Sequence, residues 1–102
     1  MSINTITVSG NLGQEPAMKY LDDGNAIASG TIAVRKNKEH SIWLNYKAFK
    51  KTAELIGEYC HKGNAVTLSG SLDIEEWETK DGQNRQKTVV IVNQVQLPAK
   101  SE

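Results

Sequence analysis

Apolar and polar residues alternate with period two along most of this chain, and helical spacing interrupts them once. Residues 3–12 place Ile6, Val8, Gly10 and Leu12 on one face and Thr5, Thr7, Ser9 and Asn11 on the other. That is the pattern of a strand with one buried face. Glu15-Pro16 breaks it, and Asp22-Asp23-Gly24-Asn25 is a turn signal between strands. A second strand, rich in Ala, Ile and Val, is predicted over about 26–35, and the polar run from Arg35 to Ser41 is a short connection. A third strand sets Ile42, Leu44, Tyr46 and Ala48 on one face and Trp43, Asn45, Lys47 and Phe49 on the other.

Over residues 51–60 the period changes to that of a helix. Thr52 is its expected N-cap, Leu55, Ile56 and Tyr59 fall at helical spacing, and Gly63 is the expected stop. A fourth strand begins near Ala65, with Val66, Leu68, Gly70, Leu72 and Ile74 facing inward. Thr67, Ser69, Ser71, Asp73, Glu75 and Trp77 share its outer face. Asp81-Gly82 turns the chain back into a last strand, Thr88 to Leu97. Three strands, a helix and two strands, joined by turns, predict an all-β fold: a five-stranded Greek-key barrel of the OB-fold type, with one helix between strands three and four. The barrel is expected to be one domain over residues 1–98, with 99–102 a short C-terminal stub.

The outward strip of the third strand carries the chemistry. A solvated face normally avoids Trp and Phe. Flat rings with a cation between them suit unpaired nucleic-acid bases, which stack on the rings while the cation meets phosphate. An oligomer contact, or a surface beneath a loop, would also use exposed aromatics, and the strip alone does not separate these readings.

Charge changes the picture locally. Twelve Lys and Arg balance twelve Asp and Glu, which argues against gripping a duplex by bulk positive charge. Yet residues 35–51 hold Arg35, Lys36, Lys38, Lys47, Lys50 and Lys51 against Glu39 alone, while residues 73–81 hold five acids against Lys80. Opposite patches farther apart than about a Debye length, roughly 8 Å at physiological salt, are screened from one another. The basic stretch therefore still attracts a polyanion, with a shallow salt dependence expected.

Gly10-Asn11-Leu12-Gly13-Gln14-Glu15-Pro16 with Lys19-Tyr20, Thr31 to Val34, and Trp43 to Phe49 followed by Lys51, Ala53-Glu54 and Tyr59 form a familiar series. Lys62-Gly63, Val66, Gly70-Ser71-Leu72, Trp77, Lys80-Asp81-Gly82 and Arg85 continue it. Together they resemble the bacterial single-stranded DNA-binding proteins over roughly residues 3–97. The resemblance implies a homotetramer of OB-folds that wraps single-stranded DNA in replication, recombination or repair. It implies stacking on Trp43, Phe49 and Trp77, with Lys51 and Arg85 on the backbone. Asn45, Lys47, Arg35 and Lys36 complete the expected DNA-binding set. An accessory or primosome-type paralog that binds weakly, and a structural OB module, are the alternatives.

The chain departs from that pattern in three places. The connection after Arg35 is short and charged where relatives carry a longer loop with another tryptophan. Asp73, Glu75, Glu76 and Glu78 surround Trp77, where relatives are basic or polar. The sequence ends at Glu102 without an acidic, apolar tip, so tail-mediated protein partners are not expected. A truncated form and a natural short form read alike, and stacking does not distinguish DNA from RNA.

Other chemistry is poorly supported. His40 and His61 lack partners at metal-ligand spacing, so neither a metal nor a cofactor is expected. Cys60 reads as a small, partly buried apolar residue, and a lone cysteine fits a reducing compartment. No nucleophile, base and oxyanion donor assemble, so no enzyme is expected. With neither signal peptide nor long apolar run, the expected location is cytoplasmic or nucleoid-associated, with an organelle left open.

Overall fold

The computed structural model describes residues 2–97. Its strands are β1 (Ile6–Leu12), β2 (Ala17–Tyr20), β3 (Ala26–Arg35), β4 (Ser41–Phe49), β5 (Ala65–Glu78) and β6 (Asn84–Gln96), with helix α1 (Lys50–Tyr59) between β4 and β5. The sheet runs β1-β5-β6-β4-β3-β2, and β1 also pairs with β3. That second pairing closes β1, β5, β6, β4 and β3 into the expected five-stranded barrel. The expected stub, residues 99–102, lies outside the described residues.

The short strand β2 was not expected, and it shifts the count: the helix follows the fourth strand, not the third. Ala17 to Tyr20 pair with Ser29 to Ala26 across the Asp22–Asn25 turn. Gly24, at φ +88°, supplies the turn's left-handed residue, and Asp23 Oδ1 accepts the Asn25 backbone N–H at 3.0 Å. β2 lies outside the closed ring, where it brings Met18 against Gly57 of α1.

Closure depends on β1 changing partners. Ile6 to Asn11 pair with β5, while Asn11 and Leu12 also pair with Ala33 and Ile32 of β3. At the crossing, the Ala33 carbonyl occupies the space a side chain at Gly10 would need. The other closing pair, β4 with β6, is parallel and runs from Asn45↔Val89 to Ala48↔Val92. A bulge opposite Ser69/Gly70 leaves Asn93 without a partner on β5 and returns Val95 to the inner face.

The core holds Leu12, Ile32, Tyr46, Ala48, Val66, Leu68, Val90 and Val92 from the strands, with Ala53, Ile56 and Cys60 from the helical segment. Burial of each larger aliphatic side chain contributes about 1.5–3 kcal/mol before ordering costs. The helix's buried stripe is Ala53, Ile56 and then Cys60, whereas Tyr59 points to solvent. Thr52 is not the N-cap. β4 runs straight into the helix, Phe49 stands at the cap position without a side-chain capping bond, and Lys50 turns the chain at φ 56°. Nor does Gly63 end the helix. Cys60 ends it in extended conformation, and Gly63 serves the following turn, where its N–H donates to the Leu12 carbonyl at 2.8 Å.

Beyond the barrel, β5 and β6 continue as a two-stranded hairpin closed by a turn at Thr79–Gln83. Leu72 and Ile74 keep inward parity but are exposed, because the strand outruns the core they were expected to join. Asn4 secures the base of this arm, donating to the Leu72 carbonyl and accepting its N–H, each at 2.8 Å. No helix among the described residues is long and apolar enough to cross a membrane.

Candidate nucleic-acid interface

Strand alternation sets the side chains of the candidate face. On β4, Tyr46 and Ala48 are fully buried, so Trp43, Asn45, Lys47 and Phe49 must point away from the core. Trp43 is 63% exposed and Phe49 40%. A side chain at Gly13 would come within 2.6 Å of Trp43 Cζ3, so the indole packs over the bare backbone of Gly13 just after β1. This support holds one edge of the ring and leaves most of it to solvent.

On the hairpin, Trp77 is 47% exposed and pairs directly with Arg85 on the returning limb. The two line a groove with Glu76, Glu78, Asn84 and Gln86. The Arg85 guanidinium donates to Gln83 Oε1 at 2.8 Å, which keeps it along the hairpin.

Asn45 and Lys47 of the β4 strip also line a cleft of about 310 Å³, together with Gln14, Ser29, Thr31 and Lys87 among others. Asn45 Nδ2 makes a long bond, 3.4 Å, to the Thr88 carbonyl. Lys47 Nζ donates to Glu75 Oε2 at 2.5 Å, and Lys87 Nζ lies 3.7 Å from Glu75 Oε1. The Lys47 hydrogen bond, with the charges of Lys47 and Lys87, holds the Glu75 carboxyl below its usual value.

The remaining expected cations are placed apart from this cleft. Arg35 pairs with Ser41 at the start of β4 and lines a different groove, with Ser9, Asn11, Thr67 and Gln96. Lys36 stands in the tight turn that follows, its N–H donating to the His40 carbonyl. Lys51 is exposed in the first turn of α1, just past the other end of β4. The strip thus has cations near both ends and a neutralised lysine in its middle.

Lys87 was missed in the sequence because it lies far from the basic stretch. Equal steps outward from the Thr79–Gln83 turn pair it with Glu75, so hairpin counting would have found it. Cys60 is fully buried, and burial pushes its thiol up, which keeps it protonated and unreactive. No group of three or more His, Cys, Asp or Glu that could hold a metal occurs among the described residues.

Fold and face together define an OB-fold module whose outer surface presents rings and cations along one strand and one hairpin. A model of the single-strand binding protein family matches residues 3–98. The chain belongs to that family. It is also 36% identical over 102 residues to single-stranded DNA-binding protein 1 of Synechocystis sp., an alignment covering 95% of this chain and 84% of the relative.

Proposed function

We infer that this protein binds single-stranded DNA with little sequence preference, stacking bases on Trp43, Phe49 and Trp77. The observation that carries the reading is the outward exposure of all three rings, two of them along one strand. Every base offers a flat face, so stacking is tolerant of sequence, and it is worth about 1–3 kcal/mol per base. Asn45 and Lys47 serve the middle of the track and Arg85 the hairpin. Arg35, Lys36 and Lys51 meet phosphates entering and leaving it.

Family membership and the name of the Synechocystis relative support this reading. A protein of this kind holds a strand extended, prevents re-pairing and shields it from nucleases. We place it in replication, recombination or repair, acting as a homotetramer in the cytoplasm or nucleoid, as a binding protein rather than an enzyme.

A Trp43→Ala variant tests the reading when its native mass and its oligonucleotide affinity are measured together. Weakened binding at unchanged mass is expected. A changed mass would make the aromatic face an oligomer contact instead.

A further inference from the structure

We propose that Lys47 and Lys87 form a phosphodiester subsite, and that Glu75 occupies this subsite in the free protein as a built-in competitor. The proposal rests on the single-strand reading above and concerns how that site is controlled.

The geometry is that of an occupied anion site. The two carboxylate oxygens of Glu75 face different ammonium groups, Lys47 at 2.5 Å and Lys87 at 3.7 Å. A phosphodiester likewise offers two anionic non-bridging oxygens on one centre, so it is the same kind of double acceptor. Ser29, Thr31, Gln14 and Asn45 line the same cleft and supply neutral donors of the type that commonly contact phosphate.

Glu75 is singled out among the acids of the hairpin. Asp73 shares its outward parity on β5 and Glu76 and Glu78 lie on the other face, and among the described residues none of the three forms an ion pair. Glu75 instead lies in register with Lys87 and reaches past β6 to Lys47 on β4. Its side chain is only partly buried, so a change of rotamer suffices to release both lysines.

Two consequences follow. A strand entering the track must displace Glu75, so both affinity and salt dependence are lower than the lysines alone would give. A polyanion that also stacks on the rings can displace it, whereas an isolated anion has only the charge contacts with which to compete.

The test is a set of oligo-dT titrations, read by tryptophan fluorescence over a range of salt, on the wild type, Glu75→Gln and Glu58→Gln. Glu58 is exposed on α1, beside Met18 and Tyr20, and forms no ion pair among the described residues, so its replacement changes net charge equally without touching the lysines. Glu75→Gln is expected to bind at least about threefold more tightly at low salt, with the slope of log K against log salt steeper by about 0.7, the value for one further single-strand phosphate contact. Glu58→Gln is expected to stay near wild type. Adding Lys47→Met and Lys87→Met to Glu75→Gln is expected to abolish the gain.

Wild-type quenching with no gain in Glu75→Gln, or an equal gain in Glu58→Gln, would overturn the competitor alone. No quenching by either the wild type or Glu75→Gln, with both folded by circular dichroism, would overturn the single-strand reading and the subsite with it.

Discussion

The indole of Trp43 packs over Gly13, so closely that a methyl group there would meet Cζ3 at 2.6 Å. The turn after β1 thus acts as a rest for the most exposed ring of the β4 strip. Gly13→Ala is expected to shift the indole and weaken oligonucleotide binding severalfold. The loss should be smaller than that of Trp43→Ala, for which about 1–3 kcal/mol is expected. Anisotropy with a labelled oligo-dT checks the order of the two effects.

Trp77 and Phe49 test whether the face works as a unit. Trp77 lies on a hairpin beyond the core, so Trp77→Ala should change stability by no more than about 0.5 kcal/mol. Its binding loss should match that of Trp43→Ala. Phe49→Ala should lose binding as well, but with a lower melting temperature, because Phe49 stands at the junction of β4 and α1. Thermal melts beside titrations separate the two patterns.

Tyr46 carries a different kind of prediction. It is 1% exposed, and its hydroxyl has no hydrogen-bond partner among the described residues. The ring fits because Gly30 faces it: a side chain there would come within 2.8 Å of Oη. An unsatisfied buried hydroxyl costs about 1–3 kcal/mol, so Tyr46→Phe should leave stability unchanged or raised. Denaturant unfolding at neutral pH measures this.

The same burial gives a pH signature. Loss of solvent, with a smaller effect from Cys60, pushes the Tyr46 phenol from 10.0 up to about 12. The unfolded chain then releases this proton before the folded one does. Wild-type stability should therefore fall between about pH 10 and pH 12, by roughly 1.4 kcal/mol per pH unit from this group. Tyr46→Phe should lack that component, and the difference between the two proteins across the window isolates it.

How far the fold could be read from the sequence depended on how local its causes are. The outward parity of Trp43, Asn45, Lys47 and Phe49 needed only strand alternation, and the barrel needed only the order of elements. β2 was lost because four residues after a proline show no clear period of their own; pairing with β3 makes them a strand. Thr52 failed as an N-cap because no linker separates strand from helix, and Lys50 makes the turn instead. Leu72 and Ile74 alternate like core residues, but parity does not say where the core ends. The contact of Glu75 with Lys47 spans three strands, so it waits on the barrel's closure.

Stacking of unpaired bases on this face underlies the proposed function. Both of the chain's tryptophans, Trp43 and Trp77, belong to it, so intrinsic fluorescence reports on the site itself. Titration of the wild type with oligo-dT at low and moderate salt is the most direct measurement. Strong quenching is expected, saturating at a stoichiometric ratio and weakening only gradually as salt rises. Unchanged fluorescence at low salt, with the protein folded, would contradict it.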